Sequence, residues 1–415
     1  MVNIRTFKAV RPRHDLTEKV AALPYDVLSS EEAKELVKDN PYSFLHIDKA
    51  EIDLEEDIDI YDERVYKKAK ENLDTFIEKS ILDKDKKESL YIYEQKMNEN
   101  KQTGLVACAS IDDYIENKIK KHEFTREDKE IDRIKHVDTT NANTGPIFLT
   151  YPYKMEIIKV IEDYKKNNTT IFDFISDDGV AHIGWKIEED EIIEKLINLF
   201  KNVDSLYIAD GHHRAASAVK VGLNRRNANP HYTGNEEFNY FLAVLFPSNQ
   251  LEIMDYNRVV KDLNGYKSEE FLKKISENFI VEEYMGDGSF KPREKHEFGM
   301  YLDTKWYILT AKENLIDEKN PLKGLDVSIL QDYLLDPILG ITDPRTCDRI
   351  DFIGGIRGLG ELENRVDEGM RAAFSMYPTS INDLIDIADK GEVMPPKSTW
   401  FEPKLRSGLF IHELD

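Results

Sequence analysis

Five consecutive residues, Asp210-Gly211-His212-His213-Arg214, constrain this chain more than any others. They follow a short apolar run, Leu206-Tyr207-Ile208-Ala209, and open a run of small residues, Ala215-Ala216-Ser217-Ala218. That order predicts a strand, a tight turn and a helix start. A helix start presents unpaired backbone N–H groups and the positive end of the dipole, so an anion placed there meets donors already organised. Gly211 lets the backbone come close to that anion. Arg214 can fork two N–H bonds onto phosphate oxygens, while His212 and His213 add donors whose charge changes near neutral pH. The stretch Asp210 to Arg214 reads as a phosphate cradle. A plainer reading stays open beside it, with Asp210 as a helix-capping acceptor and the histidines merely solvated.

At 415 residues and 40% apolar content, the chain can bury one large core or two to three smaller ones. No window approaches the apolar run that a membrane span requires, and Met1 to Phe7 lacks a signal peptide's apolar centre. The expectation is a folded cytoplasmic protein with no membrane partner. Cys108 and Cys347 are too few for a disulfide framework and are not spaced as metal ligands, which makes them reduced thiols. The net charge of −23 repels a phosphate backbone, so nucleic acid is excluded as a partner. A small anion is different, because a few cations converging in one cleft can bind it whatever the outer surface carries. Asp48 to Glu63 holds nine carboxylates in sixteen residues without the glycine and spacing of a calcium loop, and reads as a solvated loop and helix start.

Along the chain, Phe7 to Val10 reads as a strand and Ser29 to Leu36 as a serine-capped helix. Tyr61, Val65, Leu73, Phe76, Ile77 and Ile81 recur at helical spacing. Leu90 to Tyr93 and Leu105 to Ala109 form a hairpin across the polar turn at Asn98. The charged stretch Lys120 to Arg133 reads as a solvated helix, although His122-Glu123 lies just past a strand-like run, where loops carry function. Helical periods return at Met155 to Tyr164 and Ile192 to Phe200, and Phe238 to Phe246 reads as a buried strand. Strands alternate with helices while hairpins intervene, so the expected class is α+β with a mixed sheet. A boundary near residue 260 separates a polar, helix-rich remainder that holds another strand, glycine turn and helix at Ile350 to Leu362. Met394 to Phe401 sets Lys397, Ser398 and Thr399 on a proline-stiffened segment suited to a pre-organised contact.

Two of these motifs together resemble one family. The strand, Asp-Gly-His-His-Arg and alanine-rich helix are similar to the nucleotide-binding turn of the ParB/sulfiredoxin superfamily, closest to its free-serine kinase branch. Gly391-Glu392-Val393-Met394-Pro395-Pro396-Lys397-Ser398-Thr399 resembles that branch's closing segment near the C-terminus. Pro24-Tyr25-Asp26, followed by a helix, matches the Pro-His-Glu triplet that carries the kinase's catalytic glutamate, with aspartate in its place. The whole chain also resembles a large family catalogued as a domain of unknown function, marked by Pro-Tyr-Asp-Val, a Lys-His-Glu stretch and Asp-Gly-His-His-Arg.

The resemblance implies a nucleotide-binding core over residues 1–260 with a long insertion at about 45–200, and a C-terminal α/β domain over 261–415 that closes over the active site. It implies a kinase acting on the hydroxyl of a small molecule, free L-serine, with ATP or ADP as donor and Mg2+ bridging the phosphates. Asp26 becomes the base. Asp210, Gly211, His212, His213 and Arg214 hold phosphate, and Lys397, Ser398 and Thr399 close over it. The candidates for substrate contact are Tyr25, His46, His122 and Glu123, with packing the simpler reading of Tyr25 and His46. No metal ligand is assigned. The shorter acid and the long insertion distinguish this chain from the compact kinase. A nucleotide-dependent switch of the partition type is the alternative, and the acidic balance disfavours its DNA-binding surface. Sulfiredoxin chemistry needs a cysteine in the turn, where this chain has histidine.

Overall fold

An apolar run forms a central strand when both of its faces can be covered, and an amphipathic helix when only one stripe can. The computed structural model, which describes residues 1–317 and 319–415, realises both patterns. The chain divides into two units, one formed by 1–121, 125–251 and 403–415, the other by 122–124 and 252–402. The main division thus follows Leu251, and Pro403–Asp415 returns to the first unit. Composition cannot announce such a return, because an apolar segment looks the same whichever core receives it.

The first unit is built on nine strands: β1 (Ile4–Arg5), β2 (Leu90–Met97), β3 (Asn100–Ser110), β4 (Ile119–Lys120), β5 (Ile147–Tyr151), β6 (Phe172–Ile175), β7 (Ala181–Ile187), β8 (Leu206–Asp210) and β9 (Tyr240–Pro247). Their order is β4-β8-β5-β9-β3-β2-β7-β6, with β1 paired to the end of β3. The β8–β4 and β9–β5 pairs are parallel and the others antiparallel, so the sheet is mixed and the class α+β. The β2–β3 hairpin turns at Asn98, whose φ of 53° suits asparagine's tolerance of the left-handed region.

The helices of this unit include α1 (Ser30–Val37), α2 (Leu45–Asp48), α3 (Glu63–Glu78), α4 (Glu127–Thr140), α5 (Met155–Asn167), α6 (Asp190–Phe200) and α7 (His212–Ala228). Leu105, Ala107 and Ala109 alternate along β3 onto one face, where Ile157 and Ile161 of α5, Leu196 of α6 and Ala215 of α7 join the same core. The other face is covered as well. Phe410 from the returning segment lies 5.2 Å from the Tyr91 ring, and both aromatic residues are fully buried. Two covered faces explain why β9 reads as a continuous apolar run rather than an alternation. A second core joins Val10, Phe44 and Ile47 to Leu73 and Phe76 of α3 and to Ile411.

The second unit holds β10 (Tyr256–Val260), β11 (Phe279–Glu283), β12 (Glu297–Leu302), β13 (Lys305–Ala311), β14 (Ile350–Gly354) and β15 (Ala372–Ser375), in the order β11-β13-β12-β15-β10-β14. All of its strand pairs are antiparallel. The expectation of a C-terminal α/β domain is therefore corrected: this unit too is α+β. The β12–β13 connection shows why, since Asp303 and Thr304 both take positive φ (51° and 63°) in a two-residue turn that can only reverse the chain. The strand, glycine turn and helix at Ile350–Gly354 and Gly360–Asp367 form as read from sequence.

Candidate active site

The strand-to-helix turn is as the sequence predicts, with β8 ending at Asp210 and α7 beginning at His212. Gly211 between them has a φ of 93°, a conformation L residues rarely adopt, and a Cβ there would lie 3.1 Å from Arg214 Nε. A register shift between Ile208 and Asp210 re-aims the end of the strand. No side chain caps α7, so Asp210 does not take the capping role that the plainer reading gave it. Its carboxylate instead accepts from Arg214 Nη2 at 3.3 Å and lies 3.9 Å from Lys404 Nζ. Burial pushes its pKa up, but Lys404 and Arg214 prevail and hold it below the usual range.

Arg214 is placed differently from the sequence expectation of an exposed fork. Its side chain is 11% exposed, Nη1 donates to the Pro146 carbonyl at 2.6 Å, and Nη2 faces Asp210. Only Nε has no hydrogen-bond partner. Burial acts against its charge, yet Asp26, Asp210, Tyr25 and Asp48 together raise its pKa. Gly145 makes room for it, since a Cβ there would lie 3.4 Å from Arg214 Nη1. His213 Nε2 accepts the Arg126 backbone N–H at 3.0 Å, which puts the ring proton on Nδ1. Burial lowers its pKa, so the ring is neutral. His212 is buried.

Asp26 sits exposed on the 3-10 turn Tyr25–Val27. The turn is fixed from behind by a capping box, in which Ser29 Oγ accepts from Glu32 N (3.1 Å) and Glu32 accepts from Ser29 N (2.8 Å) at the start of α1. The charge of Asp26 helps to raise the pKa of Arg214 and opposes the burial that lowers that of His213. Tyr25 packs its ring 4.0 Å from the Arg133 guanidinium, and burial, then Asp26, pushes its phenol well above the ordinary tyrosine range.

Beside this turn lies a small cavity of about 20 Å3, room for about one water molecule, lined by Tyr25, Asp48, Arg133, His136, Thr144, Gly145 and Arg214 among others. Asp48, Arg133, His136 and Thr144 are missed from sequence. Asp48 belongs to a stretch read as solvated, yet it is 5% exposed and accepts the Thr144 hydroxyl at 2.7 Å. Arg133 ends a run read as a solvated helix, but Asp132, Arg133, His136 and Thr140 form the buried face of α4. Their spacing of three to four residues was the available signal. Charge alone hid it, because a buried polar stripe and a solvated face have the same composition.

His46 lines no part of this cavity. Its Nδ1 donates to Asp53 at 2.8 Å and its Nε2 faces the Asn40 carbonyl at 3.3 Å, the satisfied histidine of the simpler reading. His122, Glu123, Lys397, Ser398 and Thr399 all belong to the second unit. There His122 Nε2 lies 3.3 Å from Thr399 Oγ1, and the His122 carbonyl accepts from Met394 N at 2.8 Å. Lys397 has a φ of 58° and stands over the Tyr256 ring at 5.5 Å. The Ser398 hydroxyl donates to the Pro395 carbonyl at 2.6 Å. Cys108 is fully buried, and burial raises its thiol well above the usual range. Among the described residues, no helix is long and apolar enough to cross a membrane.

The family model described as a protein of unknown function, DUF1015, matches residues 4–328. The chain belongs to the DUF1015 family. No curated protein matches this DUF1015 chain. Solved structures similar to it include a free serine kinase in complex with AMP, at 15% identity and a TM-score of 0.36, covering 74% of this chain and 91% of that one. Another is SbnI with C-terminal truncation from Staphylococcus aureus, at 11% identity and a TM-score of 0.41 over 74% of this chain and 87% of that one. A third is a conserved hypothetical protein from Pyrococcus furiosus, at 14% identity and a TM-score of 0.35 over 74% and 95%.

Proposed function

We propose that the chain is a nucleotide-dependent kinase that phosphorylates the hydroxyl of a small molecule, with free L-serine as acceptor and O-phosphoserine as product. The observation that carries the reading is that Tyr25, the neighbour of Asp26 on its exposed turn, lines the same cavity as Arg214 at the start of α7, far downstream in the chain. Phosphoryl transfer needs cations around the moving group and a base to orient the nucleophile, and little else from the protein. The uncapped start of α7, with Gly211 in a conformation that brings backbone close, fits a phosphate group. In this reading ATP or ADP would be the donor, and Mg2+ bound with it would supply charge neutralisation for the transfer.

The residues then divide the work. Gly211, His212 and His213 meet the phosphate through the first turn of α7. Arg214 supports them from behind, its charge held in place by Asp210 and the Pro146 carbonyl. Asp26 orients the acceptor hydroxyl and takes its proton as the oxygen–phosphorus bond forms and the bond to the nucleotide breaks.

Phosphorus NMR of the protein with Mg2+, either nucleotide and free L-serine tests the reading. A growing phosphoserine signal is the expected result. Nucleotide binding without transfer to serine or to any other hydroxylated amino acid would leave a regulatory switch in its place.

A further inference from the structure

The C-terminal segment that rejoins the first unit at Pro403 is fixed there by polar groups as well as by packing. Gln95 of β2 donates through Nε2 to the Lys404 carbonyl at 2.9 Å, and Gln102 of β3 donates to Gln95 Oε1 at 2.9 Å and to the Pro403 carbonyl at 3.4 Å. Both glutamines are buried. Arg406 Nη2 donates to Ser176 Oγ at 3.1 Å and pairs with Asp178, and Ser407 exchanges both backbone hydrogen bonds with Ala22. Buried amides committed to one short segment add little net stability, but they set its register, because a slip of one residue would leave them unsatisfied.

The residue that this anchoring delivers is Lys404. Its side chain is 10% exposed, and Nζ lies 3.9 Å from Asp210 Oδ1, at the end of β8 and one residue before Gly211, the N-cap of α7. At that distance charge, not a hydrogen bond, holds the pair. Arg214 meets the other oxygen of the same carboxylate, and its own Nε is buried without a hydrogen-bond partner. Two cations therefore stand beside the uncapped first turn of α7, where an anion would meet both.

We propose that Lys404 is a phosphate-contacting residue of the site, its ammonium meeting an oxygen of the phosphate group held at the first turn of α7. That the phosphate belongs to a nucleotide rests on the kinase reading, whereas the contact itself requires only a phosphate. Lysine suits this place because its ammonium is a compact point charge on a flexible stem, able to turn from Asp210 to an incoming anion, which a guanidinium forked onto the carboxylate resists. It keeps its proton and offsets negative charge on the phosphate oxygens. Sequence reading passes over Lys404, because only the return of its segment to the first unit brings it to Asp210.

Calorimetry on the full chain with ADP and, separately, with pyrophosphate tests the assignment. Lys404→Met should weaken the binding of both by about tenfold or more, the loss of one charge-assisted hydrogen bond. Lys404→Arg keeps the charge and should recover most of that loss. A lysine that only balances Asp210 would behave otherwise, and the double variant Asp210→Asn/Lys404→Met separates the two roles because neither charge then needs a partner. A structural lysine predicts that the double variant regains both thermal stability and pyrophosphate affinity, whereas a phosphate-contacting lysine predicts that it regains stability alone. The same variant keeps the test decisive where Lys404→Met does not fold.

Pyrophosphate affinity equal to that of the parent, in a folded Lys404→Met or in the double variant, overturns the proposal. A parent that transfers phosphate while Lys404→Met does so at full rate keeps the kinase reading and loses this one. A parent that binds pyrophosphate through Lys404 but phosphorylates no hydroxylated amino acid does the reverse, and a parent that binds neither probe loses both.

Discussion

The guanidinium of Arg133 lies 4.0 Å from the ring centroid of Tyr25, and this single stack joins the buried face of α4 to the turn that presents Asp26. A short 3-10 turn has little stability of its own, so what holds Tyr25 also positions its neighbour. Replacing Tyr25 with phenylalanine keeps the ring and should leave stability and turnover near wild type. Tyr25→Ala removes both the stack and the apolar contact, and should cost about 2 kcal/mol or more. Turnover should fall further than the loss of folded protein explains. Urea unfolding beside steady-state kinetics on the same samples decides this, and an alanine variant of unchanged rate would detach the turn from catalysis.

Asp26 itself gives the sharpest test of the kinase reading. Asp26→Asn keeps the shape and cannot take a proton, so turnover should fall by about 10²–10⁴ with nucleotide affinity almost unchanged. Asp26→Glu should retain part of the activity, since it restores the residue type of the resembled kinase. An ordinary turn aspartate would tolerate asparagine without loss of rate.

Arg214→Ala is expected to damage the fold as well as nucleotide binding. The side chain, 11% exposed, lies between the Pro146 carbonyl and Asp210, and removing it takes one of the two nearby cations from that carboxylate and leaves Lys404. Breaking a buried pair from one side costs about 3 kcal/mol or more. Thermal unfolding should show a lowered midpoint, and Asp210→Asn/Arg214→Ala should recover part of it. A single variant as stable as the parent would mean that the guanidinium contributes nothing structural.

The His46–Asp53 pair sets a pH dependence of stability. Its hydrogen bond with Asp53 raises the His46 pKa above the ordinary value, although burial opposes the shift. A histidine whose folded pKa is raised stabilises the protein fully below its unfolded pKa of about 6.5, and that contribution is lost as pH rises through the folded pKa. Asp53→Asn should therefore destabilise the protein more at pH 5.5 than at pH 9. Unfolding midpoints for parent and variant at the two values provide the measurement, and a gap that widens with rising pH would contradict the assignment.

Local features of this chain were legible from its residues because their causes lie within a few positions. The strand ending at Asp210, the glycine turn and α7 follow from an apolar run, one residue free to take positive φ, and a helix-favouring run of alanines. The capped helix at Ser29, the β2–β3 hairpin and the amphipathic α3 were readable for the same reason. What tertiary structure alone decided is which charged groups are buried. Asp48 meets Thr144, Arg133 meets Tyr25, and Arg214 turns inward to Pro146, each pairing residues that are distant in sequence. A charge leaves water only where a partner offsets its desolvation, and that partner exists only once the chain has folded. The amino-acid sequence therefore determined the strand, glycine turn and helix as a local form, while the fold decided that Arg214 turns inward from it and that Asp48 and Arg133 line a cavity beside it.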